Sequence, residues 1–236
     1  MKKLKLKHHL LHPLLDILFP QYCAGCTQIL HAGEELLCLS CFDQLPFTSL
    51  EQIPDNETDV RLYGKLAHMH AAPLLYFIEE GLVQEMMHQL KYRNRPDLGI
   101  FLGKLIAHRY LQTEWFKSID IIVPVPLHRK KMYRRGYNQS ASIAAGISAV
   151  SGIPVVEKAI KRSVNTASQT HMTRLERLEN VSGAFLSIRP GDLAGKHVLL
   201  VDDVLTTGAT LAACGNCILQ LPDTKLSITT AALAIT

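Results

Sequence analysis

The chain has 236 residues, 47% of them hydrophobic and 19% charged, with a formal net charge of +4. That composition belongs to a packed globular protein and excludes a disordered one, and the length admits one sizeable α/β domain with a small appendage. The mild positive charge permits an anionic ligand or a nucleic acid without requiring either, and no apolar run reaches the ~18 residues of a membrane span.

The first residues, MKKLKLKHHLLHPLLDILFP, imitate a secretory signal: lysines, then leucines. His12, Pro13 and Asp16 interrupt the apolar part and no small-residue cleavage site follows, so the expectation is an amphipathic helix over Pro13–Phe19 and a cytoplasmic protein. Next come CAGC (Cys23, Cys26) and CLSC (Cys38, Cys41), with eleven residues between the pairs. In a reducing compartment this spacing predicts a structural zinc ion, because each Cys-x-x-Cys turn aims two sulfurs at one point and two turns complete a tetrahedral shell. A closed four-sulfur shell leaves no position for chemistry. The polar stretch 51–71, with Pro54, reads as a connection, so the expected domains are a zinc-ribbon-like module over 1–50, a linker over 51–71 and a second domain over 72–236.

In that second domain a strand is expected over Ala72–Ile78, then amphipathic helices over Gly81–Lys91 and Pro96–Leu111. The pattern then alternates: an apolar strand over Ile119–Val123, a helix of small residues, a short strand at IPVV, the strand KHVLLVDD, a helix and the final strand LSITTAALAIT. Such alternation predicts a mostly parallel sheet with helices on both faces. Cys214 and Cys217 fall inside the expected last helix on one face, as small core residues rather than a redox pair.

Ligands of an open parallel sheet bind beyond the carboxyl ends of its strands, and two ends are chemically unusual. After the strand at Ile119, cations crowd VPVPLHRKKMYRRGYNQS: Arg129, Lys130, Lys131, Arg134 and Arg135, with Tyr133 and Tyr137 among them. They suit either a diphosphate or single-stranded DNA, whose phosphates take cations and whose bases stack on aromatic rings. After the apolar run Val198–Val201 stand Asp202 and Asp203, then Thr206, Thr207, Gly208, Ala209 and Thr210 ahead of a helix. Backbone N–H groups and hydroxyls there can receive a phosphate, and Gly208 leaves room for close approach. Ionised Asp202 and Asp203, which only accept hydrogen bonds, suit the vicinal hydroxyls of a ribose or the shell of Mg²⁺. The two features together ask for a sugar phosphate.

VLLVDDVLTTGATL closely resembles the phosphoribosyl-diphosphate (PRPP) signature of type I phosphoribosyltransferases. The resemblance implies that fold, with Asp202 and Asp203 on the ribose hydroxyls and Thr206–Thr210 on the 5′-phosphate. The family's diphosphate loop matches Val125, Pro126 and Leu127, with Lys131, Arg134 and Arg135 beyond. The order of the two Cys-x-x-Cys turns, LKYRNRPDLG, VPVPLHRKKMYRRGYNQS, RSVNTASQTHMTRLERLENVSGAF and the acid motif is similar to that of the ComF family, also called ComFC or GntX-like. That likeness spans nearly the whole chain. It implies a PRPP-binding protein of natural transformation, with Mg²⁺ accompanying PRPP, and single-stranded DNA and a DNA-uptake helicase as partners. Its alternative is an active Mg²⁺-dependent phosphoribosyltransferase with an unidentified acceptor, unrelated to DNA. Arg162–Thr173 corresponds to the family's mobile loop. No Asp or Glu stands out as a general base.

Overall fold

Residues 20–162 and 185–235 are described by the computed structural model; the helix expected at Pro13–Phe19 and the segment 163–173 lie outside them. Within them a four-stranded sheet runs in the order β1 (Ala71–Phe77), β6 (Lys225–Ala234), β5 (His197–Leu205) and β2 (Ile121–Pro124), every neighbouring pair parallel. Its apolar runs are continuous because both faces are buried. Leu199 and Val201 pack on one side with Met86, Leu90, Leu102 and Ile143. Val198 and Leu200 pack on the other with Leu211, Cys214 and Ile218. Helices Leu82–Tyr92, Pro96–Tyr110 and Gln139–Ser151 therefore cover the first face, and helix Ala209–Leu219 the second. Cys214 and Cys217 are buried core residues, as their spacing implied.

Two helices approach at backbone distance. A Cβ on Gly103 would collide with the carbonyl oxygen of Ile143, so only glycine lets Pro96–Tyr110 and Gln139–Ser151 meet as they do. That contact fixes the start of Gln139–Ser151, where Asn138 caps the helix by accepting from the Ser140 N–H.

Three segments differ from the sequence-based expectation. The strand expected at IPVV is a single parallel bridge, Val155 to Ile122, since the chain touches the sheet edge there and leaves it. Instead a small antiparallel pair forms, β3 (Ile160–Arg162) with β4 (Phe185–Ser187). The stretch 51–71 carries its own helix, Glu57–Leu62, closed by a reciprocal cap between Asn56 and Asp59. Leu62 and Leu66 are buried in the second core, so this stretch packs as part of the domain. The cysteine module is joined as firmly: Cys23, Ala24, Leu37 and Cys41 belong to the first core, and the Thr48 N–H donates to Leu74 on the sheet's edge strand.

Candidate functional site

β2 stops at Pro124, opposite Val201 of β5, while β6 continues beside β5 as far as Leu205. Asp202 and Asp203 therefore stand where β5 has a neighbour on one side only, with the turn after β2 bending past them: the Val125 N–H still donates to the Val201 carbonyl. The face alternation also breaks here. Val204 packs with Val201 on the first core and Leu205 returns to the second, so the acids sit at an irregular point of the strand. Period-two reasoning cannot foresee that slip.

Each acid is held. Asp202 Oδ1 accepts from the Ser140 hydroxyl at 2.8 Å and from the Asp203 N–H at 2.9 Å. Asp203 Oδ1 accepts from the Val204 N–H at 2.7 Å, and its Oδ2 lies 3.3 Å from Lys91 Nζ. Burial, then the neighbouring Asp203 charge, pushes the Asp202 carboxyl up to about 7, against the hydrogen bonds from Ser140 and Asp203 and the charge of Lys91. Lys91 and Ser140 were not singled out from the sequence. Lys91 lies in LKYRNRPDLG and Ser140 in NQS, and only the fold carries them to the acids.

The loop that follows is braced from behind. Arg61 donates to the carbonyls of Thr206 (3.2 Å) and Ala234 (2.6 Å), and Lys65 to the carbonyl of Thr207 (3.0 Å). With those carbonyls turned toward the Glu57–Leu62 segment, the side chains of Thr206, Thr207, Ala209 and Thr210 are exposed at the start of the eleven-residue helix Ala209–Leu219. Gly208 has φ +78°, and a Cβ there would lie 2.7 Å from Leu62 Cδ2. Its left-handed backbone favours glycine, whether or not a phosphate approaches.

The end of β2 is looser. Val125 is buried and its carbonyl accepts from Asn138 Nδ2 at 3.0 Å, while Pro126 and Leu127 are half-buried. The cations form a short helix, Arg129–Arg135, whose first turn His128 caps. Lys131 and Arg134 are exposed and Tyr133 is 94% exposed. Arg135 is not free: its guanidinium donates to Gln139 Oε1 at 2.9 Å and lies 5.4 Å from the centre of the Tyr92 ring.

In the N-terminal module one sulfur from each of Cys23, Cys26, Cys38 and Cys41 lies within 4.8 Å of the others, and Cys26 and Cys38 Sγ are 3.7 Å apart. Zinc–sulfur bonds of ~2.3 Å in a tetrahedron put sulfurs ~3.8 Å apart, so the four thiols fit a structural zinc ion. Burial opposes ionisation of Cys23, but N–H groups of Cys26, Cys38 and Gly25 bring its thiol down to about 6. Burial and then the neighbouring sulfurs push Cys41 well up. Only a shared cation lets all four sulfurs ionise together.

The family description "Phosphoribosyl transferase domain" matches residues 104–233, and "Double zinc ribbon domain" matches residues 14–52. The chain is similar to DNA utilization protein YhgH of Escherichia coli (strain K12), with 32% identity over 138 residues, 57% of this chain and 60% of that protein. It is 32% identical over 130 residues to Competence protein F of Haemophilus influenzae, covering 53% of this chain and 57% of that one. Competence protein ComFC of Bacillus subtilis is 29% identical over 100 residues, 42% of this chain and 38% of that protein. The chain thus spans about 60% of the length of the first of these relatives. Among solved structures, the glutamine PRPP amidotransferase from B. subtilis complexed with ADP and GMP is 21% identical, with a TM-score of 0.43 over 61% of this chain and 30% of that one. No helix of the described residues is long and apolar enough to cross a membrane.

Proposed function

The chain belongs to the phosphoribosyl transferase domain family, and on that premise we propose that the end of β5 binds PRPP and that the protein serves the uptake of single-stranded DNA in natural transformation. One observation carries the ligand: two carboxylates at an open strand end, followed directly by a braced loop and a helix start. Asp202 and Asp203 accept the ribose hydroxyls. The N–H groups and hydroxyls of Thr206, Thr207, Gly208, Ala209 and Thr210 receive the 5′-phosphate. Val125, Pro126 and Leu127, with Lys131, Arg134 and Arg135 beyond, face the diphosphate.

Asp203 is matched by the ammonium of Lys91, and Asp202, held up to about 7, adds its charge as it ionises, which fits a divalent cation. Mg²⁺ there would be held by Asp202, Asp203 and the ligand's own oxygens, and it would neutralise diphosphate charge. The chain's residues do the rest: Ser140 orients Asp202, and Arg61 with Lys65 keeps the loop's carbonyls away from the phosphate.

The DNA role is supported by the relatives' names, DNA utilization protein YhgH, Competence protein F and ComFC. It is supported too by the exposed Lys131, Tyr133 and Arg134 on one short helix. In this reading the protein works in the cytoplasm, beside a DNA-uptake helicase. Calorimetry with PRPP and Mg²⁺, and fluorescence anisotropy with labelled single-stranded DNA, test the two halves separately. Binding of both ligands is the expected result, and a folded protein that takes neither removes the proposal.

A further inference from the structure

Beside the basic helix Arg129–Arg135 stands an aromatic ring from another part of the chain. Tyr92 ends the helix Leu82–Tyr92 and is 58% exposed. The Arg135 guanidinium lies 5.4 Å from the centre of its ring, and the ring of His88, one turn back, lies 5.0 Å from it. Gln139 holds Arg135 by accepting from it at 2.9 Å, so Tyr92 has a fixed backing while more than half of its surface stays open. Arg93, the next residue, is exposed as well. Tyr137, a stacking candidate in the sequence, is engaged elsewhere: it packs against the first core and its hydroxyl donates to the Leu90 carbonyl.

Helical periodicity orders the basic helix around its axis. At about 100° per residue, its side chains follow one another as Tyr133, Lys130, Arg134, Lys131 and Arg135. Lys130, Arg134 and Lys131, all exposed, therefore lie between two rings: Tyr133 on one flank, and Tyr92 backed by Arg135 on the other. A row of cations follows phosphates, and an open ring offers its face to an unpaired base. Bases inside a duplex are already stacked and cannot reach such rings. We propose that Tyr92 and Tyr133 are base-stacking platforms on the two flanks of the basic helix, which make it a site for single-stranded DNA rather than a tracker of phosphates alone. The platforms presuppose the single-stranded DNA reading above and are independent of the PRPP site. They also give Arg135 its task, which is to stiffen Tyr92 instead of pairing with a phosphate.

The test is fluorescence anisotropy of the full chain with a labelled oligothymidylate and with an abasic strand carrying the same number of phosphates, each over a range of salt. Wild type should bind the abasic strand at least about tenfold more weakly, since each stacked base contributes on the order of that factor. Tyr92→Ala and Tyr133→Ala should each weaken the natural strand by about tenfold, leave the abasic strand unchanged and keep the salt slope. Tyr92→Phe should bind both strands like wild type, because a ring without the hydroxyl still stacks. Both side chains are exposed, so the melting temperatures of all three variants should match wild type. Equal binding of the two strands by wild type overturns the proposal and leaves the DNA reading standing. So does a Tyr92→Ala variant that weakens both strands alike, as a merely structural change would, or that weakens neither. A wild type that takes neither strand removes the DNA reading and the platforms with it.

Discussion

The carboxyl ends of β5 and β2 lie side by side at one end of the sheet, yet they are built in opposite ways. At β5 each acid is tied by two partners, the loop behind is pinned through its carbonyls, and Gly208 is wedged against Leu62. At β2 the cations ride on a short, exposed helix on which, among the described residues, Arg135 is the cation tied back. A prearranged site suits a small ligand of fixed shape, because little ordering remains to be done on binding. Exposed cations on long side chains suit a phosphate chain whose position varies.

Two glycines in the left-handed region give the widest contrast. Gly208→Val strains the backbone and drives a branched side chain into Leu62, so it should cost roughly 2–5 kcal/mol in urea unfolding. Gly136 ends the basic helix at φ +80°, and a Cβ there would meet no atom of the described residues within 4 Å. It should tolerate Ala at about 1 kcal/mol. Equal losses would mean that the β5 loop is no more constrained than the β2 loop.

Charge separates the ends next. Asp202 rises from its ordinary 3.8 to about 7, chiefly through burial. Between those values the folded protein keeps a proton that the unfolded chain releases, so stability falls as pH rises through that window and stays low above it. Asp202→Asn should remove this slope and raise stability at pH 8 by roughly 1–2 kcal/mol, read from thermal melts across pH. Lys131→Gln at the other end should leave the melts within about 0.5 kcal/mol. A flat pH profile in the wild type would contradict the burial of Asp202.

The smallest effect concerns DNA. Replacing exposed Lys131 and Arg134 with Ala should lower the salt slope of single-stranded DNA binding by about 1.4. Arg135→Ala should change it less, because that side chain is already engaged.

Much of this was legible in the sequence for local reasons. The run Val198–Val201, the two acids and the hydroxyl loop are contiguous, so periodicity and residue chemistry reveal a strand end followed by an exposed hydroxyl loop and a helix start. The Cys-x-x-Cys spacing likewise brings sulfurs together by short turns alone. Partners far away in the chain were invisible: Lys91 and Ser140 reach the acids only through helix packing, and Arg61 and Lys65 reach the loop from a stretch read as a connection. Composition there was misleading because a capped helix of six residues is too short to show a helical stripe.

The central claim is that Asp203 and the loop hold a ribose phosphate. Its most direct test is calorimetric titration of PRPP with Mg²⁺ into wild type and Asp203→Asn, with ribose 5-phosphate as competitor. The substitution keeps the side chain's shape and removes one charge, so it should weaken binding by about 1.5–3 kcal/mol, and ribose 5-phosphate should displace PRPP from the wild type. PRPP bound equally well by both proteins, or left in place by ribose 5-phosphate, would contradict the account.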